Sequence, residues 1–411
     1  MSDPSKKELP LGGIRVADWT VFQTGPSATQ LLADLGAEVI KIEDPKGGDY
    51  ARGSTRDAGS FLNLPHGLPY GFECNNRNKK SLAVDVTKEK GKEIVYQLVK
   101  NSDVFVQNFR VGVAERLKMD YATLVKYNPS LIYAHCSGYG KKGPLAQKPA
   151  LDPAIHASSG MMLGIGEEGM PPIHLPGAIS DQTTGIMLAF GIMAALYYRE
   201  KTGIGQEVDV AMLGTMIWVQ TNNILYSLLA QKPRERQRRD RAKNPLVNHY
   251  RCKDNRWLLL AHFQPDKYWT QFCRALGKEE LIHDPRFATL KDRENNAAAL
   301  IAILDEVFAT KTRDEWMEVF SKEDLIFSPI KDYWEVICDI QVWENDFLTY
   351  FNHPELGEIR EIGIPVKLSK TPGTIREPAP QLGQHTEAIL IDLLGYTWEE
   401  VEMFRDEGVI L

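Results

Sequence analysis

The chain has 411 residues, 43% of them apolar and 25% charged, which is the balance of a folded globular protein and excludes a disordered or fibrous one. Its 48 Lys+Arg against 55 Asp+Glu leave a formal charge of −7, so no global basic character points to nucleic acid or to an acidic membrane. The five cysteines, Cys74, Cys136, Cys252, Cys273 and Cys338, are odd in number and never form a CxxC pair, which argues against a disulfide framework or a thiolate zinc site.

Ile14 to Trp19 is an apolar run between glycines and a Thr-Gly-Pro turn, the pattern of a strand. Pro26 suits the first position of a helix, where its missing N–H costs nothing, and Ala28, Leu31, Leu32 and Leu35 follow at helical spacing up to Gly36. Val39 to Glu43 reads as the next strand, so the unit is strand–helix–strand and predicts a parallel sheet. It recurs as a strand over 81–86, a helix over 89–100 and a strand over 104–107, then as a helix near 121–127 and a strand over 131–136. From Thr183 to about Arg199 apolar and small residues fall all round the helix, which predicts a buried one. A strand over 208–210 and a second largely buried helix over 212–229 follow.

Residues 232–243 hold seven Lys/Arg and two acidic residues, the composition of a solvated connector. Beyond it a strand pair (250–252 and 257–262) and amphipathic helices near 266–276, 294–308 and 313–321 predict a second, smaller α+β region. The Pro/Gly-rich stretch 371–383 is expected to wrap, and Thr397-Trp-Glu-Glu400 announces a capped last helix. The start MSDPSKKELP has no apolar stretch after its charges, and the 13-residue run Ile186–Tyr198 is too short to span a bilayer, so a cytoplasmic location is expected.

Motifs narrow the chemistry. The first strand–helix turn, Thr20 to Pro26, holds only Gly25 where a dinucleotide fingerprint needs three glycines, so NAD is not expected, although the helix start can hold an anion. The nine histidines show no i, i+3 or i, i+4 pairing with one another and no HExxH, which predicts no metal site. His135 and Cys136 are neighbours on a strand and read as core, and no GxSxG is present. Carboxylates remain. Asp181 immediately precedes the apolar helix, and its plain reading is an N-cap. The same helix start keeps a carboxylate ionised, and an ionised Asp can attack an activated acyl carbon. Asp152, on a loop after Pro149, reads either as an exposed turn residue or as a second active-site acid.

Five stretches together resemble one family: LGGIRVADWTVFQTGPSATQLLADLGAEVIKIEDPKGGD (11–49), NNRNKKSLAVDVTKEKGKEI (75–94), VFVQNFRVGVAERLKMDY (104–121), SDQTTGIMLAFGIMAALYYREKTGIGQEVDVAML (180–213) and PAPQLGQHTEAIL (378–390). They resemble the class III CoA-transferases, of the formyl-CoA/carnitine-CoA transferase type. The resemblance implies a Rossmann-like large domain (1–225, completed by 331–411), a small α+β domain (226–330), and two ring-shaped chains interlocked as a homodimer or with a homologous chain. It implies Asp181 as nucleophile with Asp152 beside it, coenzyme A as co-substrate without a tightly bound cofactor, and an acyl-CoA and a small carboxylic acid as partners. It further implies that Gln23, Val84, Val86, Thr87, Asn108, Phe109 and Arg116 hold CoA, the guanidinium meeting phosphate. Asp44 stands where some members have an arginine. Asn244-Pro-Leu-Val-Asn-His-Tyr250 replaces the glycine-rich flap of formyl-CoA transferases and resembles the phenyllactate and benzylsuccinate branch. That branch and the aromatics Trp19 and Phe22 favour an aryl or hydroxy acid acceptor, with succinyl-CoA as donor. The alternatives are an acyl-CoA racemase, whose His should precede Asp152 where Leu151 stands and from which His156 is displaced, and a non-catalytic subunit of a heteromer.

Overall fold

Six strands form one parallel sheet: β1 (Arg15–Trp19), β2 (Glu38–Glu43), β3 (Lys79–Ala83), β4 (Val104–Gln107), β5 (Ile132–Ser137) and β6 (Glu207–Ala211). Their order is β3-β2-β1-β4-β5-β6, that of the doubly wound dinucleotide folds, with the chain reversing direction between β1 and β4. The computed structural model describes residues 9–53 and 69–411, plus the backbone of a short antiparallel pair, Arg56–Asp57 with Ser60–Phe61.

Strand periodicity builds two cores at once. Ala17, Ile40 and Phe105 face one apolar cluster and Val16, Val39, Val104 and Val106 the other, so both sheet faces are covered. Helix α1 (Thr24–Asp34) follows β1, with Pro26 in its first turn, and α2 (Glu89–Lys100) follows β3 with Ile94, Val95, Leu98 and Val99 buried. Helix α3 (Asp152–Ser158) and the long α4 (Ile179–Thr202) come next, then α5 (Met212–Val219) and α6 (Thr221–Ala230).

Helices α1 and α4 cross closely because Gly185 has no side chain: a Cβ there would stand 1.9 Å from Ser27 Oγ and 3.0 Å from the Thr24 carbonyl oxygen. The all-round burial expected of α4 holds on one side only. Ile186, Phe190 and Tyr197 are 56, 67 and 64% exposed, and the expected single buried helix after β6 is broken at Gln220, with no buried residue in α6. By length and composition α4 could cross a bilayer, but about half of it is packed into the core.

Two compact units divide the described chain. The first runs to Met162 and takes in His174–Leu229 and Asn345–Leu411; the second takes in Leu163–Ile173 and Ala230–Glu344. In the first, the tail returns to the sheet. Val84 pairs with Ile410, the Asp85 amide donates to the Val409 carbonyl at 2.8 Å, and Leu390, Val401 and Phe404 join the core. Asn78 Oδ1 accepts from the Arg376 and Glu377 amides, which fastens the Pro/Gly-rich stretch, and Thr397 caps α7 (Trp398–Asp406) reciprocally with Glu400. The second unit has its own three-stranded antiparallel sheet, Phe327–Ile330, Trp257–Ala261 and Val247–Arg251, under the helices Pro265–Ala275, Ala297–Phe308 and Arg313–Ser321. It reaches Glu344 because Arg313 pairs with Glu335, and it includes 163–173 because the Arg236 guanidinium meets the carbonyls of Leu163, Glu167, Met170 and Pro171. The segment Asn244–Tyr250 is a turn leading into a strand of this sheet, with Tyr250 fully buried.

Candidate active site

The parallel sheet directs the ends of β1 and β4 into the crevice where the strand order reverses, the usual place for a ligand in such folds. Asn108 ties the two following loops together: its Oδ1 accepts from the Val21 amide and its Nδ2 donates to the Val21 carbonyl, both at 2.9 Å. A cavity of about 210 Å³ opens beside them, walled by Trp19, Val84, Val86, Thr87, Phe109 and Leu117 among others. Val84, Val86, Thr87 and Phe109, which the family resemblance assigns to CoA, thus line one cavity. Trp19 is only 6% exposed and packs on Phe109 at 4.2 Å between ring centres, so it is part of the wall. Asp44 lines the same cavity and its side chain accepts from the Lys46 amide. Arg116 is exposed on the short helix Val113–Leu117, one residue from the wall.

The loop between β1 and α1 is held from below by buried charge. Lys41 pairs with Asp49 at 2.7 Å, both side chains fully buried, and donates to the Thr20 carbonyl at 2.8 Å. Asp49 Oδ1 accepts from the Phe22 amide, which secures the left-handed conformation of that residue (φ 67°). Burial opposes the Lys41 charge, but Asp49 and Asp18 outweigh it and hold the ammonium above its ordinary range. Gln23 follows Phe22, and its Oε1 accepts from Asn75 Nδ2 at 2.6 Å, while Gln182 Nε2 donates to Asn75 Oδ1 at 3.0 Å.

Asp181 sits in the first turn of α4, 7% exposed. It is not the N-cap that its spacing suggested. Ala178 occupies that position, and the Asp181 carboxylate instead accepts a hydrogen bond from Thr24 Oγ1 at the start of α1. Burial pushes its pKa up to about 6; the Thr24 hydroxyl works the other way and the nearby Asp152 charge adds to the rise. The group is therefore ionised at neutral pH, desolvated, and directed by a single donor, a combination suited to nucleophilic attack.

Asp152 is not an exposed turn residue either. It is 8% exposed, at the head of α3, and performs the capping that Asp181 does not: its Oδ1 accepts from the Ser180 amide at 2.7 Å, the Ser180 hydroxyl at 2.5 Å and the Asp181 amide at 3.2 Å. Its other oxygen lies 3.5 Å from His156 Nδ1. Thr24, Asn75, Ser180 and Gln182 carry no local signal, because each meets the site through a partner distant along the chain.

A parallel sheet with a crevice at its reversal point, and a buried carboxylate at a helix start beside it, make an α/β site with a group suited to nucleophilic transfer chemistry. The description of CoA-transferase family III matches residues 11–386. The (R)-2-hydroxy-4-methylpentanoate CoA-transferase of Clostridioides difficile is 33% identical over 97% of this chain and 99% of its own. The succinyl-CoA:glutarate CoA-transferase of Mus musculus is 34% identical over 98% and 90%. The crystal structure of Rv3272 from M. tuberculosis superposes with a TM-score of 0.81 at 31% identity, covering 93% of this chain and 99% of that one. The chain belongs to CoA-transferase family III, an enzyme family that takes CoA as co-substrate.

Proposed function

We propose that Asp181 is the nucleophile of a CoA transfer from succinyl-CoA to a hydroxy or aryl carboxylic acid. Thr24 holds Oδ1, and Oδ2 attacks the thioester carbonyl; the C–S bond breaks and CoA leaves as thiolate, giving a mixed anhydride on Asp181. The thiolate then attacks the aspartyl carbonyl and expels the donor acid as carboxylate, leaving an aspartyl-CoA thioester. The acceptor carboxylate attacks that thioester, and the released thiolate attacks the acceptor acyl carbon, which frees the new acyl-CoA and restores Asp181. Each bond broken is matched by one formed, so no nucleotide is consumed. The observation that carries this reading is the buried Asp181 carboxylate hydrogen-bonded by Thr24 at the helix start.

The cavity beside Phe109 is assigned to the adenine end of CoA, with Val84, Val86 and Thr87 around it, Gln23 and Asn108 at the loop it follows, and Arg116 toward a phosphate. The donor is suggested by the mouse relative's succinyl-CoA and the hydroxy acid by the clostridial relative. Phe22, near Tyr50 at 5.9 Å with Tyr50 81% exposed, supplies an aromatic face suited to an aryl group such as that of phenyllactate or benzylsuccinate. A racemase needs an imidazole within reach of a substrate Cα–H. Residue 151 is Leu, and the His156 side chain is only 1% exposed, so neither fills that role. The exposed apolar residues of α4, Ile186, Phe190 and Tyr197, are assigned to contact with a second chain, of the same or a homologous kind.

Intact-protein mass spectrometry after mixing with succinyl-CoA and a panel of other acyl-CoAs tests the mechanism. An acyl- or CoA-sized adduct removed by hydroxylamine is expected on the wild type and absent on Asp181→Ala. An adduct of equal yield on both proteins would sink it.

A further inference from the structure

Helix α4 begins without a cap of its own. Ala178 stands at the N-cap position with φ 54°, and an alanine side chain accepts nothing, so the amides of the first turn need an acceptor from elsewhere. Asp152 Oδ1 is that acceptor for the Ser180 and Asp181 amides, and it takes the Ser180 hydroxyl as well. A carboxylate used this way must itself be kept from turning, and its Oδ2 faces His156, one helical turn further along α3, where i and i+4 share a side. The His156 side chain is 1% exposed, and among the described residues neither ring nitrogen has a hydrogen-bond partner. A buried N–H left unpaired is costly, and the acceptor facing Nδ1 is Asp152 Oδ2 at 3.5 Å. The His174 ring lies 5.6 Å from the His156 ring, tilted by 48°, on the exposed side.

We propose that His156 is a positioning residue for the transfer reaction: Nδ1–H fixes Asp152, Asp152 fixes the first turn of α4, and that turn places the attacking oxygen of Asp181. The proposal rests on Asp181 being the nucleophile. The same residues also invite a metal reading, since Asp152, His156 and His174 bring one ligand atom each within 4.8 Å of one another. An ion shared at bonds of about 2.0–2.1 Å needs donor atoms roughly 3.3 Å apart. Asp152 already spends one oxygen on α4 and His174 stands on an extended connection, so the Asp152–His156 contact is the one this geometry favours.

The test uses the full-length chain and the rate of adduct formation on Asp181 in a single turnover with succinyl-CoA or whichever acyl-CoA labels the wild type. His156→Leu is expected to slow labelling by about 100-fold, the scale of a misplacement near 1 Å, with CoA affinity unchanged. His156→Asn, which puts an amide N–H where Nδ1 stands, is expected to restore most of the rate, whereas His156→Gln, which reaches the Nε2 position, is not. Asp152→Asn combined with His156→Leu is expected to lose no more than the worse single variant, because the two act as one unit. Labelling of His156→Leu at the wild-type rate, additive losses, or rescue by Gln and not by Asn would overturn the proposal. So would one equivalent of zinc or cobalt retained through dialysis and lost in His174→Ala. A wild type labelled by no donor would overturn the Asp181 reading, and the positioning role with it.

Discussion

Replacing Asp181 by asparagine is expected to stabilise the protein at neutral pH while abolishing transfer. Folding carries this carboxyl from its ordinary 3.8 to about 6, chiefly by burial. A raised folded-state pKa means that the folded chain binds the proton more tightly than the unfolded one. The contribution is therefore present below the ordinary value and is lost as pH climbs through about 6. The difference of about two units corresponds to about 3 kcal/mol of stability forgone at pH 7.5. Asparagine keeps an oxygen for the Thr24 hydroxyl and carries no charge to desolvate, so it recovers most of that. With an unfolding entropy of about 2.1 cal/mol/K per residue, the 411-residue chain changes by about 0.9 kcal/mol for each degree, and the expected rise in Tm is about 3 °C. Thermal melts of both proteins from pH 4 to 8 supply the assay. The gap should be small at pH 4, open between about pH 4 and 6, and be nearly flat above about 6.5. A gap that does not change with pH, or an Asn variant that melts lower at pH 7.5, would refute the claim that Asp181 is a desolvated anion.

Further outcomes follow from the same geometry. Thr24→Val removes the hydrogen bond that favours the charged carboxylate, so the acid limb of Asp181 labelling is expected to move about one unit to higher pH; an unmoved limb would mean that the hydroxyl does not stabilise the Asp181 carboxylate. Gly185→Ala forces a Cβ against Ser27 Oγ and the Thr24 carbonyl, and should cost about 1–3 kcal/mol and slow labelling by moving Thr24 off Asp181. Adding Ser27→Gly to it should recover part of both losses, and calorimetry beside a labelling time course reads the two together. Phe109→Ala takes away the ring assigned to adenine, and titration calorimetry should show CoA binding weakened by about 1–3 kcal/mol; an unchanged Kd would move the adenine elsewhere.

The parallel sheet was legible because Val16, Ala17, Val39 and Ile40 alternate between two dry faces, and helices with a regular stripe such as Ile94, Val95, Leu98 and Val99 separate the strands. The site was legible only through the family resemblance. Spacing alone placed Asp181 as a cap, and that failed because the cap of α4 comes from Asp152, 29 positions upstream, and no local pattern records an acceptor lent by another helix. His156 escaped for a related reason: the search for histidine spacing compares histidines with each other, and its partner is a carboxylate at i−4. The error about α4 is of another kind. A run apolar on all sides reports how much surface wants cover, and Phe190 and Tyr197 show that the chain's own core supplies it on one side only.

The pairing of Val84 with Ile410 and of Asp85 with Val409 joins residues more than 300 positions apart. Val84 and Asp85 both line the cavity assigned to CoA. A ribosome delivers β1, β2 and β3 early, but the backbone partners of this rim, Val409 and Ile410, emerge more than 300 positions later. Until then the rim of a nascent chain is an open strand edge, available to any other strand that passes. The pairing with residues 409 and 410 therefore covers the same stretch that walls the cavity, and its loss would open a strand edge and the cavity rim together.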